Sequence, residues 1–319
     1  MNEHPLRNLG MDLVRVTEAA ALSAGRWMGL GKQNEADLAA AQVMYDTLKR
    51  LDMDGRIVIG EDKLPDSPLT TGQRVGSGNG PKMDVVLDPI EGRDLLGWGR
   101  PGAISVAGVA PRGTMWSPSP AVYMEKIVVD SEVAAALVPE CLDAPAAWTL
   151  AMVARLKKKA VRDLVVFLLD RPRHRDLIEE VRSAGARAML RSDGDVAGAL
   201  LAADPNSGVD LMMGVGGVSE GMIAACAVKT MRGGMLGRLA PQSDEEQVAV
   251  KAAGLDMKQI LSCSELVTSD DIFFSATGIT NGILLSGVNY HGSKAETESL
   301  LLRGETGARR FIRAEHRLG

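Results

Sequence analysis

Five carboxylates stand where short apolar runs end or helical patterns begin. In Asp88-Pro89-Ile90-Glu91-Gly92 two of them follow directly on the buried run 84–87, with Pro89 restricting the backbone between them and Gly92 letting the chain swing away. Glu61 follows a second such run, 56–59, Asp37 opens a helical pattern, and Glu220 comes just after a Gly216-Gly217 pair. Hard divalent cations take oxygen ligands, usually a few carboxylates completed by water and substrate phosphate. Asp37, Glu61, Asp88, Glu91 and Glu220 are therefore the candidate ligands of Mg2+ or Mn2+. The bland alternative is that Asp88 and Glu91 only cap a turn and a helix start; several carboxylates at element ends argue against it.

Such a set suits hydrolysis of a phosphate ester, in which bound metals polarise the phosphoryl oxygens and generate the nucleophile from water. The rest of a sugar phosphate calls for cationic donors, and Arg171-Pro172-Arg173-His174 offers them at a strand-to-helix junction. Read plainly, the same residues are a solvated basic helix start. Asp193-Gly194-Asp195 has the acceptors for sugar hydroxyls and is also a common turn; Tyr123 has a hydroxyl in reach of a phosphate and is also an ordinary strand residue.

The elements that must position these groups follow from periodicity. Apolar residues recur at helical spacing over 13–28 and 37–51, which leaves 32–36 as a loop, and 103–109 and 121–129 add strands to 56–59 and 84–87. Beyond about residue 150, strands at 164–169, 188–190 and 209–213 alternate with helices at 174–184, 196–203 and 220–231, a βαβ rhythm that predicts a mostly parallel sheet with functional loops at its carboxyl ends. The fold class is α/β, with two closely packed lobes: residues 1–150 carrying the metal ligands and 151–319 binding the sugar phosphate. The C-terminal segment is expected to be free to pack back on the first lobe.

Bulk properties exclude several classes. Acids exceed bases by only five (41 against 36), and no basic run with interleaved aromatics marks a nucleic-acid partner. No apolar run approaches the roughly 20 residues that span a bilayer, and no secretory leader pattern opens the chain. The three cysteines are far apart, which suggests neither a disulfide framework nor zinc, and a reducing cytoplasm is the expected compartment.

Taken in order, Asn34-Glu35-Ala36-Asp37, Ile57-Val58-Ile59-Gly60-Glu61, Asp88-Pro89-Ile90-Glu91-Gly92, Tyr123-Met124-Glu125-Lys126, Arg171-Pro172-Arg173-His174, Asp193-Gly194-Asp195, Gly216-Gly217-Val218-Ser219-Glu220-Gly221, Phe274-Ser275-Ala276-Thr277-Gly278 and Glu315-His316-Arg317-Leu318 resemble the class II, bacterial-type fructose-1,6-bisphosphatases of the lithium-sensitive phosphomonoesterase superfamily. The resemblance covers nearly the whole chain. It implies a layered αβαβα fold, metal ligation by Asp37, Glu61, Asp88, Glu91 and Glu220, and sugar-bisphosphate contacts from Tyr123, Arg171, Arg173, His174, Asp193 and Asp195. It also implies a homo-oligomer, dimer or tetramer, and removal of the 1-phosphate of fructose 1,6-bisphosphate in gluconeogenesis.

Four positions depart from the family pattern. Arg93 stands where the family has a threonine that helps orient and deprotonate the attacking water, and a guanidinium donates only. Gln33 replaces a lysine, and Lys63 and Pro65 replace acidic residues. Lys63 or Arg93 is expected beside Glu61 or Glu91, weakening a cation's hold by like-charge repulsion. Two alternatives stay beside the bisphosphatase reading: a catalytically weak sugar-phosphate binder, and the same chemistry on a seven-carbon bisphosphate.

Overall fold

The computed structural model describes residues 9–318. The chain opens with α1 (Leu9–Ala24) and α2 (Gln33–Leu48), then β1 (Asp54–Ile59), β2 (Arg74–Val75), β3 (Lys82–Glu91), the short α3 (Arg93–Gly97) and β4 (Ile104–Pro111). It continues through β5 (Tyr123–Val129), α4 (Ala146–Leu156), β6 (Val165–Leu169), α5 (Arg175–Ser183), β7 (Arg187–Arg191), α6 (Asp195–Ala203), β8 (Leu211–Gly217) and α7 (Val218–Thr230). The last part holds β9 (Gly234–Leu239), α8 (Asp244–Ala252), β10 (Ile260–Ser262), α9 (Cys263–Leu266), β11 (Phe273–Gly278), β12 (Asn289–His291), β13 (Lys294–Arg303) and β14 (Ala308–Arg317).

Among the described residues the strands form two sheets. The first has eight strands in the order β12-β13-β11-β4-β3-β1-β2, with β14 on the edge of β13 opposite β11 and β12. The second has six, in the order β10-β9-β5-β8-β6-β7. Here the expectation of a mostly parallel sheet needs correction: β6 runs parallel to β7 and β8, while β5, β8, β9 and β10 pair antiparallel. The βαβ rhythm describes only β6, β7 and β8. β5 comes from before the expected boundary and inserts at the centre of the second sheet, so the chain changes sheets between Pro111 and Tyr123 and returns to the first sheet with β11 to β14. Nothing in the alternation of β5 reveals which sheet it joins, because a buried strand reads the same in either.

Apolar side chains sort these elements into five layers. Leu13, Val16 and Ala20 of α1, at helical spacing, pack with Ala41, Met44 and Leu48 of α2 on the outer face of the first sheet. α6 and α7 lie between the sheets, and α7 is buried nearly all round because Met222, Ile223, Ala224, Ala225, Cys226 and Val228 must face a sheet on either side. α4 and α5 cover the far face of the second sheet through Leu150, Val153, Ile178 and Val181. The small residues of α6 serve this closeness: a Cβ at Gly198 would stand 2.3 Å from the Phe167 ring. No helix of the described residues is long and apolar enough to cross a membrane.

Two local expectations also change. α2 begins at Gln33, so residues 33–36 are helical and Asp37 lies one turn inside the helix instead of at its start. The Asp88-Pro89-Ile90-Glu91 string does not leave the strand as a turn. β3 runs on to Glu91, and the register with β4 slips between Asp88 and Glu91. Proline lacks a ladder donor and is tolerated at such an irregularity, which bends the strand and re-aims its side chains.

Candidate active site

The two sheets bring their functional ends to one cleft. β1 and β3 run parallel and deliver Glu61, Asp88 and Glu91 at their carboxyl ends; β8 ends at Gly216-Gly217, and α7 then presents Glu220 in its first turn. These residues, with Asp37 from α2, line a cavity of about 850 Å3, and Tyr123, Arg171, Arg173, Asp193 and Asp195 line it too. The glycine pair has a steric reason: a Cβ at Gly216 would fall 1.9 Å from Asp195 Oδ2, and one at Gly217 the same distance from Glu220 Oε2.

Crowding of acids dominates the electrostatics at one end. Burial pushes the Glu61 carboxyl up to about 8, with Glu220 and Asp37 adding to the rise, and pushes Asp37 up to about 6 against the pull of Arg93. Asp88 and Glu91 are pushed well above the carboxylate range by burial first and by neighbouring acids second. Asp88 Oδ1 accepts the Ile90 N–H at 2.9 Å, and Glu91 Oε1 accepts the Val196 N–H at 3.0 Å in the first turn of α6. The other Glu91 oxygen, Oε2, is buried with no hydrogen-bond partner. Among the described residues no three acids, histidines or cysteines are gathered closely enough to ligate one ion as they stand.

Arg93 departs from the expected pairing with Glu61 or Glu91. Its Nη2 lies 3.0 Å from Asp37 Oδ2 and donates to Asn34 Oδ1 at 2.7 Å, because α3 starts just past the left-handed Gly92 (φ 90°) and aims the side chain at α2. Lys63 lies elsewhere, with its Nζ 5.4 Å from the centre of the Tyr123 ring, and Arg173 flanks the same ring at 5.3 Å. Arg173 Nε donates to the Val215 carbonyl at 3.0 Å, and Arg171 lies 3.7 Å from Asp193. The opposite end of the cleft is thus cationic.

His174, expected from sequence as a substrate contact, is not part of this lining. It is buried, its Nδ1 is 2.8 Å from the Leu169 carbonyl, and its Nε2 is 2.8 Å from the Val215 N–H, which donates to it. Both ring nitrogens are committed to backbone, and burial lowers the pKa, which favours the neutral ring. It fastens the segment after β6 to β8.

Lys126, assigned no role from sequence, proves central. It is 1% exposed, and its Nζ pairs with Asp195 Oδ2 behind the cleft, leaving Asp195 Oδ1 buried without a partner. Burial raises both Asp193 and Asp195 despite Arg171 and Lys126. The signal lay in the strand period: Lys126 alternates with Met124 and Val128, so its side chain points into the layer between the sheets. Asp94, beside Arg93, also lines the cleft and was not singled out.

Five alternating layers with a carboxylate-rich cleft between two sheets define an α/β fold of the phosphatase type. The chain belongs to the bacterial, glpX-encoded fructose-1,6-bisphosphatase family, whose family model matches residues 7–316. It is 39% identical to a protein of Haemophilus influenzae named fructose-1,6-bisphosphatase class 2, over 98% of this chain and 97% of that one. It is 36% identical to fructose-1,6-bisphosphatase 1 class 2 of Escherichia coli K12, over 98% of this chain and 96% of that one.

Proposed function

We propose that the protein hydrolyses the 1-phosphate of fructose 1,6-bisphosphate, giving fructose 6-phosphate and inorganic phosphate, with Mg2+ or Mn2+ held among Asp37, Glu61, Asp88, Glu91 and Glu220. The observation that carries the reading is one cleft with acids at one end and cations at the other, in a chain whose relatives are named for this activity. The donor set fits a hard divalent cation: every candidate atom is a carboxylate oxygen, Glu91 Oε2 is buried and unpartnered, and the raised carboxyls are what a positive charge would bring down. When bound, such a cation polarises phosphoryl oxygens and activates water.

The chain's own residues bind and orient the sugar. Asp195, held in place by Lys126, lines the cleft as an acceptor for a sugar hydroxyl, and Asp193 offers a second from the same turn. Arg173, fixed by the Val215 carbonyl and the Tyr123 ring, takes the distal phosphate with Arg171 and Lys63 nearby. Holding the distal phosphate there sets the 1-phosphate against the acidic end, and such orientation removes part of the entropic barrier. By likeness to the family, the proposal extends to a cytoplasmic homo-oligomer, dimer or tetramer.

The test is phosphate release from fructose 1,6-bisphosphate by the full chain under titration with Mg2+ and Mn2+. A seven-carbon bisphosphate serves as competitor. Turnover that needs one of these cations and prefers the six-carbon sugar is expected. Silence across the whole titration contradicts the proposal.

A further inference from the structure

The positive charge around the cleft is distributed unevenly. Lys63, Arg171 and Arg173 stay with Tyr123 and Asp193, whereas Arg93 alone of these four reaches the acidic end, gripping Asp37 and Asn34. Among the described residues no lysine or arginine makes an ion pair with Glu61, Asp88, Glu91 or Glu220. The acidic end therefore has two parts: Asp37, already matched by a fixed cation, and a group around Asp88 and the unpartnered Glu91 Oε2 that is not.

From this division we infer that the Arg93 guanidinium is a built-in cation at the Asp37 end, so that the wild-type chain takes up one divalent ion fewer than its carboxylates would otherwise hold. The inference rests on the metal-binding reading above and narrows it: Asp37 is engaged by Arg93 in the wild-type chain, and the ion it takes up lies among Glu61, Asp88, Glu91 and Glu220. A guanidinium stays protonated at any working pH and has no acceptor, so it neither yields its charge nor joins a metal's coordination shell. A divalent ion at Asp37 would have to displace it, break the 2.7 Å hydrogen bond to Asn34 and bear like-charge repulsion meanwhile. The Arg93 side chain is 47% exposed, so its removal costs the fold little.

Mn2+ binding to the full chain without substrate, counted by electron paramagnetic resonance and by calorimetry, tests this apart from turnover. The variants are Arg93→Ala, with Arg93→Gln as a second replacement should alanine disturb folding, and the double variant Arg93→Ala/Asp37→Asn. Removing Arg93 is expected to add one Mn2+ per chain or to tighten the weakest site at least tenfold, and the gain is expected to vanish in the double variant. Wild-type binding with no such gain, or a gain that survives Asp37→Asn, overturns the inference and leaves metal-dependent hydrolysis standing. Absence of Mn2+ binding in every form overturns both.

Discussion

The two ends of the second sheet handle buried charge in opposite ways. β5 runs from Tyr123 at the cleft to Asp130 just past its far end, and β8 runs back from Asp210 to Gly216-Gly217. At the far end Lys157 lies 2.5 Å from Asp130 and 3.1 Å from Asp210, and Lys159 lies 2.6 Å from Asp210, which also accepts the Val165 N–H at 2.9 Å. Burial works against those charges, yet the hydrogen bonds outweigh it, so Asp210 is lowered and Lys157 raised. At the cleft end, where the first sheet brings Glu61, Asp88 and Glu91 up against the second, burial and mutual repulsion win, and all three carboxyls are raised. Buried charge matched in number by opposite charge fastens a fold; buried charge left unmatched marks a place kept ready for a ligand.

The largest effect that tests this contrast is at the far end. Asp210→Ala leaves Lys157 with Asp130 alone and takes their carboxylate partner from Lys159 and the Val165 N–H, and a cost of about 3–5 kcal/mol in unfolding free energy is expected, with turnover per folded molecule unchanged. At the cleft end Asp88→Asn should do the reverse. Turnover falls by at least about 100-fold, the upper range for disturbing a metal site through its outer partners, while chemical denaturation of the cation-free protein shows stability equal to or about 0.5–2 kcal/mol above wild type. A loss of stability there would erase the contrast.

His174→Phe sharpens the boundary between the two regimes. It leaves the Val215 N–H and the Leu169 carbonyl without their partner, for an expected loss of about 1–3 kcal/mol, but the KM for the bisphosphate stays near wild type. A large rise in KM with intact stability would restore His174 as a phosphate ligand. The smallest effect is in pH. In the folded, cation-free chain burial pushes Asp37 up to about 6 and Glu61 up to about 8, above the ordinary carboxylate range, so the folded state holds these protons more tightly than the unfolded one. Their contribution is full below the unfolded pKa values and is lost as pH rises through about 6 and then about 8. Thermal unfolding in chelator should give a lower midpoint at high than at low pH within that window, and Glu61→Gln should flatten the upper part. Asp210 contributes no slope there, because its lowered pKa gives stability that is lost only as pH falls below the carboxylate range.

The comparison also separates what the sequence could tell from what it could not. That Glu61, Asp88, Glu91 and Glu220 share one cleft was legible because they stand at the ends of apolar runs or beside a glycine pair, and local order along the chain mirrors their place at strand and helix ends. The backbone ties of His174 were not legible because an imidazole that ties two backbone groups and one that grips phosphate look alike in sequence. Lys126 was passed over since its importance depends on Asp195, 69 positions away and on another element. The partner of Arg93 was misassigned for a related reason: the direction set by Gly92 and by the turn of α2 before Asp37 is a three-dimensional fact. Sheet membership of β5 failed likewise, since pairing is long-range while periodicity is local.

The central claim is that this cleft hydrolyses one defined phosphate ester with the help of a divalent cation. Phosphorus nuclear magnetic resonance of fructose 1,6-bisphosphate, incubated with the purified full chain and either Mg2+ or Mn2+, follows both phosphates at once. Loss of the 1-phosphate signal, matched by inorganic phosphate and by a persisting 6-phosphate, and stopped by chelator, is the predicted result. An unchanged spectrum with either cation, or loss of the 6-phosphate instead, would contradict it.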